Sequence, residues 1–218
     1  MNLAPEGKPI LLAAAILAIV SVSASLLLTG WIAMVVIWLG WLPLAFSIYF
    51  FRDPPRSSPK DAGVVVAPAD GRIIEIRPST GEGDYGEPAC KVSIFMSPFN
   101  VHVNRIPIGG RIRKLRYQKG NYTAAFQPKA SLNNERQYIE IITHYGLIGC
   151  TQVAGWLARR IVCHLQEGQD VATGERFGMI RFGSRLDLYL PPTCELSVRV
   201  RDRVLAGESI IGVFHEEK

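Results

Sequence analysis

Residues 9–51 contain no Asp, Glu, Lys, Arg or His. A helix that spans a bilayer needs about 20 apolar residues, and this run is roughly twice that length. Gly30-Trp31 lies near its middle. The reading that uses the whole run is two membrane helices, about 10–29 and 31–51, joined by a tight turn. A signal peptide followed by one anchor fits less well, because no small-residue cleavage site leads into a polar mature start. Lys8 precedes the run, and Arg52, Arg56 and Lys60 follow it. Positive flanks favour the cytoplasmic face; a hairpin satisfies both flanks and a single span does not. The expectation is an anchor over 1–51 in the cell (inner) membrane, with the remaining chain on the cytoplasmic side. Trp31, Trp38, Trp41 and Tyr49 include candidates for an interfacial aromatic belt.

Residues 52–63 hold three prolines and two serines, a composition that sustains neither a helix nor a central strand. They read as a linker, and a second domain covers 64–218. Strand signals dominate it: 64–67, 72–76, 90–96, 101–106, 111–117, 138–143, 148–154 and 161–165. Residues 79–88 and 121–136 read as loops. No long amphipathic helix follows residue 60. Residues 170–177 and 203–210 form a weak repeat offset by 33, each a Gly-Glu turn leading into an apolar strand. Such paired hairpins occur in barrel-sandwich domains. The expected fold is therefore mainly β, two packed antiparallel sheets of barrel-sandwich type behind an N-terminal transmembrane helical hairpin.

Charge and cysteine content exclude several classes. Lys and Arg total 24 against 19 Asp and Glu, an excess that suits an anionic membrane surface and is too small to argue for nucleic acid. Cys90, Cys150, Cys163 and Cys194 form no Cys-x-x-Cys pair, so free thiols in a reducing compartment are expected rather than a zinc ribbon.

Four places carry residues with chemical potential. Gly183-Ser184 sits between apolar runs. It is either a strand with a glycine bulge and an incidental hydroxyl, or a self-processing serine. In the second case the hydroxyl attacks the Gly183 carbonyl, the amide becomes an ester, and elimination leaves a pyruvoyl group at 184. Asp70, in Pro68-Ala69-Asp70-Gly71, reads by itself as a turn residue. His102 is flanked by valines in a strand and faces a defined side; Arg105 lies at odd spacing from it, on the other side of an unbroken strand. Arg111, Arg113, Lys114, Arg116 and Lys119 cluster; in a regular strand Arg111 and Arg113 share a face. They suit either a solvated sheet edge or lipid phosphates.

Together these features resemble the phosphatidylserine decarboxylase family in its short form. The resemblance covers nearly the whole chain: the paired apolar segments, Arg52-Asp53-Pro54, the Pro-Ala-Asp-Gly turn, Met96-Ser97-Pro98-Phe99-Asn100-Val101-His102, Asn134-Glu135-Arg136, Ala158-Arg159-Arg160-Ile161, Gly174-Glu175-Arg176-Phe177 and Ile180-Arg181-Phe182-Gly183-Ser184-Arg185. Longer members carry Leu-Gly-Ser-Thr where this chain has Phe-Gly-Ser-Arg. They also carry two histidines three residues apart, where this chain has His102 and Arg105.

The resemblance implies a proenzyme that cuts itself between Gly183 and Ser184 into a large chain, 1–183, and a small chain, 184–218. Ser184 would become the pyruvoyl group that forms a Schiff base with the substrate amine, with no metal and no pyridoxal phosphate. His102 and Asp70 would serve with Ser184 as a protease-like triad, and His102 would either perform both proton transfers or leave one to another group. Arg105, Arg111 and Arg113 would bind substrate. The reaction would convert phosphatidylserine to phosphatidylethanolamine and carbon dioxide, with archaetidylserine as a substitute substrate. Partners would be the phospholipid, the anionic membrane surface and the two chains of one proenzyme; a homo-oligomer is compatible, nucleic acid is not expected. Two other classes compete: a membrane-anchored barrel-sandwich adaptor with no catalytic activity, and a zinc endopeptidase, which would want a His-x-His pair that Val101-His102-Val103 lacks.

Overall fold

A computed structural model describes residues 2–80, 88–120, 134–155, 160–181 and 184–215. The elements in chain order are β1 (Asn2–Leu3), α1 (Lys8–Ser25), α2 (Gly30–Phe50), β2 (Arg52–Asp53), β3 (Val64–Val66), β4 (Gly71–Thr80), β5 (Pro88–Met96), β6 (Val103–Arg105), β7 (Gly110–Gln118), β8 (Arg136–Thr143), β9 (Gly146–Ala154), β10 (Ile161–Cys163), β11 (Asp170–Val171), β12 (Arg176–Ile180), β13 (Ser184–Leu190), β14 (Glu195–Leu196), β15 (Arg203–Val204) and β16 (Ile210–Val213). A short 3₁₀ turn, Pro5–Gly7, leads into α1. The chain divides into two compact units, Met1–Pro55 and Arg56–Lys218.

The first unit is the apolar hairpin. Both helices are long and apolar enough to cross a membrane. The reversal falls at 26–29, a few residues before the expected turn, because Gly30 opens α2 with φ +63°, a conformation that glycine takes without cost. On α1 the buried positions Ala14, Ala18, Ser21 and Ser25 form one face of small residues. Gly40 of α2 sits against Ser21, and a Cβ there would also lie 3.1 Å from the Leu17 carbonyl oxygen. Small residues let helix backbones approach where lipid offers no hydrophobic drive. The outer ends are tied together: β1 pairs antiparallel with β2, and the Ala4 amide donates to the Phe51 carbonyl at 2.7 Å.

The second unit is mainly β, as the alternation predicts. An eight-stranded sheet runs β11-β7-β8-β9-β13-β5-β4-β15, and two three-stranded sheets run β10-β12-β6 and β14-β16-β3. Every ladder is antiparallel. One hydrophobic cluster draws on all three sheets, with Ile94, Ile139, Ile148, Leu186 and Leu188 from the large sheet, Phe177 and Ile180 from β12, and Val65 and Ile211 from β3 and β16. The expected loop at 79–88 is partly strand, since Ser79 and Thr80 pair with Ala89 and Pro88. The expected loop at 121–136 lies largely outside the described residues, and so does Arg159.

The repeat is real in three dimensions. β11 and β12 flank one Gly-Glu turn, β15 and β16 the other, and Gly174 and Gly207 take φ +77° and +76°. The Gly174 amide donates to the Ile106 carbonyl and the Gly207 amide to the Ala67 carbonyl, both at 2.8 Å. A Cβ on Gly207 would meet Arg105 Cδ at 2.9 Å. Left-handed backbone costs a side chain about 1–2 kcal/mol, so Gly207→Ala should lower the unfolding free energy of the full chain in detergent by at least about that much, read from its urea midpoint.

Candidate active site at one end of the large sheet

The site is assembled by strand register. Ser184 opens β13, the strand hydrogen-bonded on both sides, and lies opposite Met96 at the end of β5 and Ala154 at the end of β9. Two strands away β4 begins at Gly71, so Asp70 stands at the same end. The chain leaves Met96 through a tight turn at 97–100, closed by the Ser97 amide and hydroxyl donating to Asn100 Oδ1 at 2.9 and 2.8 Å. His102 follows directly. Its own carbonyl accepts from the Ile180 amide at 3.4 Å, which fixes it beside the end of β12, just upstream of Ser184. Gly183 and Phe182 lie outside the described residues.

Ser184 is fully buried, and its hydroxyl donates to Met96 Sδ at 3.3 Å. A thioether is a weak acceptor, so the hydroxyl proton is only weakly held. Asn104 Nδ2 reaches the same sulfur at 3.8 Å, and Gln152 Nε2 donates to Asn104 Oδ1 at 2.9 Å. Gln152 stands on the same face of the sheet as Ser184, because its register partner is Leu186. Its Oε1 is buried and finds no donor among the described residues. On the other face Arg185, also buried, donates to Asp187 Oδ2 at 3.1 Å, and Lys91 Nζ stands 3.4 Å from the same oxygen. That pairing anchors the residue next to Ser184 and so holds the backbone of β13 in register.

His102 is fully buried, with Nδ1 2.9 Å from the Asn100 carbonyl oxygen. A carbonyl only accepts, so Nδ1 carries the proton of this hydrogen bond, and in the neutral tautomer the basic position is Nε2. Asp70 is buried as well. Its Oδ1 accepts the Ala206 amide at 2.7 Å, and Arg56 Nη2 spans both carboxylate oxygens at 3.2 and 2.9 Å. Arg56 Nη1 also donates to Glu208 Oε2 at 2.7 Å. No local signal points to this pairing: in the sequence Arg56 stands out only as a positive flank of the membrane run. Asn104 and Gln152 were missed too, although Asn104, two residues from His102 in a valine-flanked strand, is the position where polarity and burial conflict.

The basic residues go elsewhere. Arg105 Nη1 donates to the Gly174 carbonyl at 3.1 Å. A bulge between Ile112 and Lys114 interrupts β7, with Arg113 the extra residue: Ile112 and Leu115 face the core opposite Ile141 and Ile139, while Arg111, opposite Ile142, and Arg113, beside Glu140, both keep to the outward face as the alternation predicts. Arg111 Nε donates to the Gly168 carbonyl at 2.9 Å, and Arg113 Nε lies 3.7 Å from Glu140. The registers run from Arg185, next to Ser184, through Val153 and Arg136 to Gln118, the far end of β7, so Arg111 and Arg113 occupy the opposite end of the sheet.

The cysteines offer no nucleophile. All four are free, and burial raises each thiol pKa, that of Cys194 to about 12. Among the described residues no cluster of three or more His, Cys, Asp or Glu is gathered as a metal ion would require.

Known proteins are similar in sequence to this chain over most of its length. The sequence model described as phosphatidylserine decarboxylase matches residues 44–212. The chain belongs to the phosphatidylserine decarboxylase family. A phosphatidylserine decarboxylase proenzyme of Chlorobaculum tepidum is 44% identical over 218 residues, covering 97% of this chain and 98% of that protein. Proenzymes of the same description from Chlorobium chlorochromatii and Nitrosomonas europaea are each 48% identical, over 171 and 176 residues, covering 78% and 80% of this chain and 80% and 81% of theirs. The family is one of enzymes, lyases of phospholipid biosynthesis made as proenzymes, so the non-catalytic adaptor is set aside.

Removing one partner of a buried ion pair costs about 3–5 kcal/mol. Arg56→Met, which strands Asp70, should lower the stability of the full chain by about 3 kcal/mol. Arg113→Met, at an exposed pair, should change it by less than about 1 kcal/mol. Chemical unfolding of the two variants side by side checks the difference.

Proposed function

We propose that this chain is a proenzyme that cleaves itself before Ser184 and then decarboxylates phosphatidylserine to phosphatidylethanolamine. The observation that carries the reading is the placement of Ser184: a fully buried serine, its hydroxyl on a weak acceptor, opening the central strand at the end of the sheet that also holds His102 and Asp70. The names of the relatives supply the substrate.

In the cleavage step the Ser184 hydroxyl oxygen attacks the Gly183 carbonyl carbon, and the amide C–N bond breaks as the ester C–O bond forms. His102 Nε2 takes the hydroxyl proton, with the ring tautomer held by the Asn100 carbonyl. Asp70, kept ionised and oriented by Arg56 and the Ala206 amide, is the fixed negative charge at the site and the third member of the proposed triad. Elimination then frees the Gly183 carboxylate, and hydrolysis of the dehydrated residue 184 releases ammonia. The large chain is 1–183 and the small chain 184–218.

The pocket suits the resulting pyruvoyl group. That group would lie beside Met96, with the amides of Asn104 and Gln152 behind the sulfur. When present, that group supplies an electron sink for the charge left by loss of carbon dioxide. Gln152 Oε1, the orphaned buried acceptor, is suited to receive the substrate amine. His102 Nε2 holds the proton returned to the substrate carbon. Arg105 cannot share this work, since a guanidinium does not give up its proton; one histidine therefore serves both steps. Archaetidylserine would react equally, because the chemistry touches only the head group.

The domains follow: an anchor over 1–51, a connecting segment 52–63 and a catalytic domain 64–218 against the cytoplasmic leaflet, with Arg111 and Arg113 available to an anionic surface. A cysteine placed near Gly30 should react with an impermeant label from outside intact cells, and none placed in 64–218 should; labelling of the domain overturns the sidedness.

Purified wild-type protein should run as two chains under denaturing conditions, the small chain resisting Edman degradation. Ser184→Ala should run as one full-length chain and release no carbon dioxide. His102→Gln should slow both processing and decarboxylation by about a hundred-fold or more. A wild-type protein that decarboxylates as one intact chain would overturn the mechanism.

A further inference from the structure

At the Ser184 end of the large sheet, β4, β15 and the 97–100 turn enclose a cleft of about 560 Å³. Its walls are the segments that hold the proposed acid–base groups. On one side are Ser97 and Asn100, whose turn fixes His102; on the other are Gly71 and Leu205, the immediate neighbours of Asp70 and Ala206. Two cations line it, Arg72 and Arg203.

These arginines are direct register partners across the β4–β15 ladder, so their side chains share one face. Both are exposed, and among the described residues neither is ion-paired or hydrogen-bonded through its guanidinium. Like charges directly opposite on neighbouring strands destabilise a sheet. Arg105, Arg111 and Arg113, by contrast, are each occupied by a carbonyl or a carboxylate of the protein. An uncompensated cationic pair at a cleft is suited to an anion, and the planar fork of arginine matches phosphate oxygens.

We infer that this cleft binds the phosphodiester of the lipid substrate, clasped by Arg72 and Arg203; the assignment rests on the function proposed above. The row Arg185–Phe95–Arg72–Arg203 crosses β13, β5, β4 and β15, on the face of Arg185 rather than that of Ser184. Arg72 stands two strand spacings from the strand that Ser184 opens, on the order of 10 Å. Ser184 and Gly71 both begin their strands at this end of the sheet, so a head group joined at residue 184 would reach the two arginines around the strand ends. Leu205 on the cleft and Phe99 in the 97–100 turn are exposed apolar side chains, placed to meet the glycerol and acyl part of a lipid rather than a free phosphate.

The test uses the full-length, processed protein in neutral detergent micelles, where bulk surface charge is small. With phosphatidylserine, Arg72→Gln/Arg203→Gln should raise KM by about ten-fold or more while kcat stays within about two-fold. Arg72→Lys/Arg203→Lys should recover much of the loss, which a folding defect would not. Calorimetric titration with dihexanoylphosphatidylserine reads binding without turnover. The wild type should bind it, the glutamine pair should bind at least about ten-fold more weakly, and inorganic phosphate should compete only feebly. Equal binding by wild type and the glutamine pair, unchanged KM, or inorganic phosphate binding as tightly as the lipid would each overturn the assignment. A wild type that binds the short-chain lipid through these arginines yet releases no carbon dioxide would overturn the function and leave the phosphodiester site standing.

Discussion

The arrangement depends on the position of β13. It is hydrogen-bonded along its length to β5 on one side and β9 on the other, and every residue in it is buried. Its inward row, Leu186, Leu188 and Leu190, lies in the core, and its outward row is pinned by the Arg185–Asp187–Lys91 ion pairs. A strand so held keeps its register whatever happens to the chain before it. The proposed self-cleavage before its first residue would be compatible with such a hold, since the proposed small chain begins with a strand paired on both sides. Beyond β13 the same segment supplies β14, β15 and β16, which pair with one another, with β3 and with β4.

The internal repeat explains where the site came to lie. Two Gly-Glu turns of the same shape face Ala67 and Ile106 through equivalent amide bonds. In one half the chemistry is self-contained: Glu175 Oε2 closes its own turn on the Ala172 amide, and Thr173 Oγ1 accepts the Gly109 amide. In the other half the corresponding groups turn outward to a third segment. Asp70 accepts the Ala206 amide, and both Asp70 and Glu208 receive Arg56. The duplicated scaffold supplies stability, and departure from it in one half creates a buried, oriented carboxylate at the Ser184 end.

Much of this was legible in the sequence because it depends on local pattern. The charge-free run gives the hairpin, alternation gives most strands, and Gly-Glu spacing gives the repeat. Asp70, His102 and Ser184 were legible through motifs, and the fold brings them to one end of the sheet. What was not legible depends on register and long-range pairing. Nothing local marks Arg56 as the partner of Asp70 and Glu208, since it sits in a proline-rich stretch whose composition signals only a linker. The bulge at Arg113 is invisible to a rule of strict alternation, although it leaves Arg111 and Arg113 on the same outward face. The opposition of Arg72 and Arg203 joins residues far apart in sequence, and Arg203 reads as an ordinary polar turn residue until β15 is laid against β4.

The way His102 is held bears on how one histidine serves two steps. Its Nδ1 proton rests on a backbone carbonyl, Asn100 O, whose own turn is closed by Ser97. A neutral carbonyl fixes the tautomer and the ring plane, yet it stabilises an imidazolium less than a carboxylate in direct contact would. Such a ring would suit the proposed double role, as base in cleavage and acid in decarboxylation. On the proposed mechanism the Asp70 carboxylate, held by Arg56, is the fixed negative charge at this end of the sheet, and Arg105 takes no part in proton transfer. Its guanidinium is spent instead on the Gly174 carbonyl, tying β6 to the turn of the repeat that carries no catalytic group.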